Sequence, residues 1–278
     1  CTALVISEEV AREGLGNIIN TIANNIEIRP TCNILVCQDK AKSFLETASK
    51  VEDISSKFYT SFIESIKITS YTTPCTISHF YSTTHHDISS PLALYCFEKD
   101  DNIETLGLAI FDRYTMVGRT SGVETVCYNL LTDNFEESTI EVFNYQNPDI
   151  PLSINLSSPQ KTKIKVKLED GKPKITCNIS VNSKILSVNE NYDFSSEEAR
   201  QKIEAEINKF LEDSCTAFLC KTAQEYGVDV IGFEGYFNKN FLTQNQIDKY
   251  NWKELYKNAT FEVTSTNHLL SGFLFSKT

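Results

Sequence analysis

Residues 162–168 constrain the fold more than any other stretch. Thr162, Ile164, Val166 and Leu168 alternate with Lys161, Lys163, Lys165 and Lys167. A period of two is the signature of a strand with one buried and one solvated face. The segment Glu169-Asp170-Gly171-Lys172-Pro173-Lys174 reads as a reversing loop. Beyond it Ile175, Cys177, Ile179 and Val181 again alternate with polar residues. The two runs form a β-hairpin, and any fold for this chain must cover its apolar face.

Something helical is available to cover it. Ser195 and Glu198 have capping-box spacing. Ile203, Ile207, Phe210, Leu211 and Phe218 follow as one stripe. Unbroken to Tyr226, this helix is roughly 45 Å long, and Gly227 suits its end. Two shorter helices, around 229–241 and 245–257, lead to a last strand, Thr260 to Thr266.

The N-terminal part has a different texture. Ala3-Leu4-Val5-Ile6 and Asn33-Ile34-Leu35-Val36-Cys37 are strand-length apolar runs. Between them Ser7 can N-cap a helix whose first turn carries Glu8 and Glu9. That helix continues through Val10, Leu15, Ile18, Ile19 and Ile22 to the stop at Asn24-Asn25. A strand-helix-strand unit of this kind makes a parallel pair. A further helix starts at Asp39, and another spans about 51–73, with Ile54, Phe58, Phe62, Ile63 and Ile66 on one face. Residues 82–90 read as a polar loop. Strands follow at Leu92–Glu98, Thr105–Asp112 and Met116–Gly118, then a short helix Gly122–Leu131 and a strand Thr139–Asn144. Strands and helices mix without strict alternation. The fold class is therefore α+β and multidomain, with mixed sheets packed against helices and a long helix in the C-terminal domain. The expected units are 1–50, a βαβ remainder of an N-terminal domain; 51–133, a small middle domain; and 134–278, a C-terminal domain.

Composition excludes some functions. A chain of 278 residues, 41% hydrophobic and 23% charged, can build a core. Its net charge of −11 repels phosphate and argues against nucleic acid as a partner. No run approaches the ~20 apolar residues of a membrane span. The nine cysteines are odd in number and irregularly spaced, and several sit in apolar runs. They read as buried free thiols in a reducing or anaerobic setting rather than a disulfide framework.

No segment specifies catalysis, a metal or a cofactor. Gly14-Leu15-Gly16 follows a strand, but Ile19 stands where a nucleotide loop has its third glycine, so the two glycines read as small residues on a helix surface. Adjacent His85 and His86, with Asp87, cannot face one metal from a regular element, and they read as a polar loop. Nine cysteines and four histidines offer Cys–His pairs only by chance. The lysine stripe could meet anionic lipid or an acidic partner, but it reads first as a solvated strand face.

Four segments in order resemble one family. They are Val5-Ile6-Ser7-Glu8-Glu9-Val10-Ala11-Arg12-Glu13-Gly14-Leu15 with Glu27-Ile28-Arg29-Pro30; Gly107-Leu108-Ala109-Ile110-Phe111 with Met116-Val117-Gly118; the hairpin Lys161–Lys174; and Asp229-Val230-Ile231-Gly232-Phe233 with Trp252 downstream. Together they resemble the C subunit of spore germinant receptors, the Ger(x)C lipoprotein family.

The resemblance implies a non-enzymatic subunit with no cofactor, built as a three-domain α+β protein. It implies work with a membrane A subunit and a transporter-like B subunit in sensing nutrient germinants. It also implies a signal peptide and a lipidated (palmitate-bearing) cysteine that holds the protein on the outer face of the spore inner membrane. In the family the Glu-Glu-Val-Ala-Arg segment lies well inside the first domain. Cys1 is therefore not expected to be the lipidated cysteine, and the chain is expected to lack the anchor and part of that domain. Gly232, Phe233 and Trp252 are the candidate binding positions by family pattern. Read as residues alone, Gly232 is a backbone requirement and the two aromatics are core. Two other readings stay open: an extracytoplasmic binding protein that clamps an amino acid or sugar between domains, and a thiol-dependent enzyme.

Overall fold

The protein is described by a computed structural model, covering residues 2–25, 27–51, 61–64, 70–86, 89–100, 102–142, 152–187 and 196–270. Its N-terminal part is organised by a strand that is apolar on both sides. β2 (Asn33–Cys37) is buried at every residue. A strand buried on both faces belongs inside a parallel arrangement, and β2 pairs in parallel with β1 (Ala3–Ser7) and with β3 (Leu92–Lys99). β3 continues antiparallel into β4 (Asn102–Asp112), and β4 into β5 (Thr115–Arg119). The five strands form one sheet in the order β1-β2-β3-β4-β5. Strands expected in units 1–50 and 51–133 thus lie side by side in a single sheet.

One face of this sheet is covered by α1 (Glu8–Glu13), α2 (Gly16–Ala23) and α4 (Ile77–His86), around Leu15, Ile19, Ile34, Val36, Phe80 and Phe111. The other face carries α3 (Ala41–Val51), whose Phe44 is fully buried. That second core does not stop at the sheet. It runs through α5 (Gly122–Leu131) into the C-terminal sheet without a break.

The C-terminal sheet is built on β9 (Lys172–Ser187), which is 16 residues long. β10 (Thr260–Leu269) pairs in parallel along one side. The other side is shared by two antiparallel partners, β8 (Lys163–Glu169) and β7 (Leu152–Ser157). β6 (Glu137–Val142) adds to β7. α6 (Glu197–Cys220) covers the apolar face, burying Ile203, Ile207, Leu211, Cys215 and Phe218.

Several expectations need correction. The helix after Ser7 is broken at Gly14, whose φ of 122° lies outside the helical region. α1 and α2 are separate, and Gly14-Leu15-Gly16 is the hinge, with Gly16 against the Tyr114 ring. Residues 82–86 belong to α4 rather than to a loop. Thr83 and Thr84 donate to the carbonyls of His79 and Phe80, which makes polar residues compatible with the helix. The hairpin turn is two residues, not six. Asp170 and Gly171 both have positive φ, and pairing resumes at Glu169 with Lys172. Leu168, expected inside, is 39% exposed at that end. The cap of α6 is Ser196, with its side chain accepting from Ala199 N, one residue later than expected. β7 has an alternating pattern that was not anticipated. The stretch from 221 to 226 continues α6 as a π-helical turn, ended by Gly227 with φ 66°. Three short helices then follow instead of two: α7 (Phe233–Asn238), α8 (Gln244–Ile247) and α9 (Trp252–Tyr256). Most of the helix expected at 51–73 lies outside the described residues; 61–64 are helical, Val51 ends α3, and 70–73 are a turn and irregular chain rather than helix.

Two glycines allow close approaches, one within the N-terminal sheet and one between it and the end of α6. Gly107 has φ 104°, and a Cβ there would sit 2.2 Å from the Thr120 carbonyl oxygen. Gly118 lies flat under the Tyr226 ring, where a Cβ would come within 2.3 Å. Gly107→Ala combines left-handed strain with a backbone clash and should destabilise the fold by about 3 kcal/mol or more. Gly235→Ala, with nothing within 4 Å, should be neutral or stabilise by up to about 1 kcal/mol. Urea unfolding of the two variants checks the contrast, and equal midpoints would refute it.

Candidate functional site

The family-pattern residues at 229–233 and 252 converge on one carboxylate. Asp229 stands just beyond Gly227, in the loop that leads to α7. Its Oδ1 accepts from the backbone N–H groups of Ile231 and Gly232, at 3.2 and 2.9 Å. Its Oδ2 accepts from Glu234 N at 3.1 Å and from the Trp252 indole Nε1 at 3.0 Å. The side chain thus holds a tight turn that α7 grows out of, and it ties α9 to the same point. Gly232 has φ 85°, which an L side chain rarely adopts. Phe233 is fully buried, and its ring tilts against Tyr256 and Phe261. Trp252 stacks at an angle on Phe237. All three candidate positions therefore come together, around a residue that was part of the quoted segment but had not been singled out.

Asp229 also reaches the other sheet. Its backbone carbonyl accepts from Ser90 N at 2.7 Å, just ahead of β3. Nearby, Lys253 of α9 pairs with Asp112 of β4 at 2.6 Å. Lys221 pairs with Glu124 of α5 at 3.0 Å and donates to the Arg119 carbonyl. These contacts line the seam between the two sheets.

A second polar network lies at the start of α1. Glu8 accepts from the Tyr95 hydroxyl at 2.6 Å and from Arg12, and the Arg119 guanidinium lies over the Tyr95 ring. Burial pulls the Glu8 carboxyl up, but Tyr95, Arg12 and Arg119 outweigh it and hold it below its ordinary value. This joins two residues of the first segment, Glu8 and Arg12, to Tyr95 of β3 and Arg119 of β5.

The remaining candidates do not assemble. His85 Nδ1 lies 2.9 Å from the Tyr81 carbonyl and its ring stacks on Tyr81. Asp87 lies outside the described residues. Among those described, no three metal-ligating side chains cluster. Lys161, Lys163, Lys165 and Lys167 are exposed. Cys32, Cys37, Cys75, Cys96, Cys127, Cys177 and Cys215 are buried and outside any disulfide, and Cys220 is half-buried. Burial pushes Cys75, Cys96 and Cys177 up to about 12 and Cys37 to about 11. Thiols held neutral in this way are poor nucleophiles. Iodoacetamide on the native protein should label Cys220 well ahead of these seven. Fast labelling of any buried one, read by mass spectrometry, would reopen a thiol-based chemistry.

Burial outweighs the four donors at Asp229 and raises its carboxyl to about 6 from an ordinary 3.8. Its folded value is thus above its unfolded one. The stability it contributes is complete below about pH 4 and is lost as pH rises to about 6, by up to about 3 kcal/mol. Asp229→Asn puts an NH2 group against two N–H donors and should cost about 1–3 kcal/mol. The stability gap between wild type and variant should be widest near pH 4 and narrow toward pH 7. Fluorescence of Trp252, the single tryptophan, reports unfolding. A gap that widens with pH would contradict this.

Comparison with known proteins agrees with the pattern. A family described as "Spore germination B3/ GerAC like, C-terminal" matches residues 106–271. A second, "Spore germination protein N-terminal domain", matches residues 1–96. The chain is 24% identical to spore germination protein GerQC of Bacillus cereus, over 94% of this chain and 72% of that one. It is 21% identical to the putative spore germination protein YfkR of Bacillus subtilis strain 168, over 99% and 72%. The crystal structure of the GerBC protein superposes with a TM-score of 0.72 at 16% identity, covering 97% of this chain and 79% of that one. The fold is that of GerBC, an α+β fold of several parts. The chain belongs to the GerAC-like family of spore germination proteins.

Proposed function

We propose that this protein is a non-enzymatic C-type subunit of a spore germinant receptor, supporting nutrient sensing and germination. The observation that carries the reading is the family match over nearly the whole chain, 1–96 and 106–271. Where its pattern residues go supports a scaffold role. Gly107, Gly118, Asp229 and Trp252 serve turns and the seam between sheets. Residues of this kind fix the shape of a surface rather than perform a reaction. In this reading the partners are the receptor's membrane-embedded A and B subunits. In this reading a lipidated cysteine holds the protein on the outer face of the spore inner membrane. The net charge of −11 suits docking to a basic protein face. A strain lacking this gene, with no redundant receptor, should germinate slowly or not at all in at least one nutrient, and re-expression should restore the response. A normal response to every germinant would overturn the reading.

A second reading, small-molecule binding, is favoured by one observation: a polar cleft of about 560 Å³ beside α5. That size is ordinary for a small-ligand site.

A further inference from the structure

The lysines of β8 are single exposed side chains, but the strand register sets them in a grid. Directly opposite residues on paired strands point to the same side of a sheet. Lys163 lies opposite Asn178, Lys165 opposite Thr176 and Lys167 opposite Lys174. One strand further, Asn178 lies beside Thr264, Thr176 beside Glu262 and Lys174 beside Thr260. Contacts across the grid agree: Thr264 donates to Asn178 Oδ1 at 2.6 Å, and Lys174 pairs with Glu262 at 3.3 Å. Glu169 and Lys172 close the hairpin end on the same side. The alternate residues Val166, Ile175, Cys177 and Val263 are buried on the other face, the one that α6 covers.

The outward face is charged in one sense. It carries Lys163, Lys165, Lys167, Lys172 and Lys174 against Glu169 and Glu262, in a chain whose net charge is −11. Lys161 stands exposed at the start of the row. Successive lysines along β8 are about 7 Å apart, and Lys167 is directly opposite Lys174. Like charges opposed across a strand pair destabilise a sheet. Glu169 and Glu262 relieve Lys174, and an anionic partner would relieve the row on β8.

The composition of the face decides between partners. Protein–protein interfaces are enriched in aromatic side chains and arginine, with lysine depleted. This grid is built from lysine, threonine and asparagine. Lysine acts as a point charge rather than a bidentate fork, so it suits anions that can move to meet it. Headgroups in a fluid leaflet do so, and each lysine near such a surface strengthens binding about fivefold. At 0.1 M salt the field of a charge reaches about 10 Å, so a surface in contact with this face feels its lysines ahead of the acidic remainder of the chain.

We infer that the outward face of β8 and β9 docks on an anionic lipid surface, with Lys163, Lys165 and Lys167 among the headgroups. The inference concerns the isolated chain and does not rest on the receptor reading, which the deletion strain tests separately.

The probe is a vesicle of phosphatidylglycerol and phosphatidylcholine in equal parts, sedimented with the protein, with pure phosphatidylcholine as the control. The chain should bind the mixed vesicles and not the pure ones, and salt of about 0.5 M should release it. The triple variant Lys163→Gln, Lys165→Gln, Lys167→Gln should lose roughly tenfold or more in partitioning. Its urea midpoint should be unchanged or higher, because like charges are removed from the strand pair. Lys42→Gln, Lys99→Gln, Lys209→Gln changes the net charge equally, at exposed positions on α3, β3 and α6, and should bind as the wild type does. Failure to bind the mixed vesicles, equal loss in the two triple variants, or binding that survives the salt would overturn the inference. Capture by immobilised polyglutamate without capture by the vesicles would also overturn it, and would assign the face to an acidic protein.

Discussion

The burial of α5 is the constraint on which the rest depends. Eight of its ten residues, including Thr125 and Asn129, are buried. A helix that is inaccessible on nearly all sides has to be surrounded by packed elements, and here they are the two sheets and α6. Several polar groups at and near its start are used. Thr120 and Thr125 hydroxyls lie 2.7 Å apart, and Thr120 Oγ1 accepts from Leu108 N. Ser121 and Glu124 form a capping box, and Glu124 then reaches Lys221. The helix is thereby bonded to β4 on one side and to the end of α6 on the other. This is why the second core runs through both sheets, and why Gly107 and Gly118 tolerate no side chain. Gly107 lies against the Thr120 carbonyl at the entry to α5, and Gly118 against the Tyr226 ring just beyond α6.

The exposed edge of the C-terminal sheet is managed by the same long helix. β10 presents an unpaired row of N–H groups, an invitation to pair with another chain. Glu204 of α6 accepts from Leu269 N at 2.7 Å, and Glu212 accepts from Ser265 N at 2.8 Å. The spacing works because eight helical residues rise about 12 Å and four strand residues about 13 Å. A helix lying along a strand can therefore place a carboxylate at every second outward N–H pair. The acidic side chains that flank the apolar stripe of α6 are thus more than a solvated face.

Much of this was legible in the residues. The lysine alternation fixed β8, the apolar runs at 3–6 and 33–37 fixed the parallel pair, and Ser7 capped the helix as its acidic neighbours suggested. What failed did so for local reasons. Periodicity ran across Gly14 because Leu15 and Ile19 are both buried, so the apolar stripe concealed a change of helix axis. Residues 82–86 looked like a loop because threonine and histidine carry no apolar signal, although hydrogen bonds to the preceding turn make them helical. Asp229 was the hardest to see. A lone aspartate in a hydrophobic segment gives no hint that three backbone N–H groups and an indole converge on it. Its role depends on Gly232 turning the chain back, and on Trp252, which lies 20 residues further along. The cleft beside Asn129 has no linear signature at all, since segments near 72, 92, 129 and 136 meet only in the folded chain.

The seam bears on how a ligand could be held. A clamp that closes two domains on a solute needs a hinge with little packed across it. Here the Tyr226 ring lies on Gly118, Ser90 bonds to Asp229, Lys253 pairs with Asp112, and the apolar core continues beneath them. Opening would expose that core and strand buried polar groups at the same time. Any small molecule taken up beside α5 would therefore enter a cleft that is already formed, with the 70–73 segment as part of its wall. That segment is held by Asn129, by the Ser70 hydroxyl donating to the Glu137 carbonyl, and by the Tyr71 hydroxyl donating to the Thr139 carbonyl. It bridges α5 and β6, so the wall of the cleft is continuous with the edge of the C-terminal sheet.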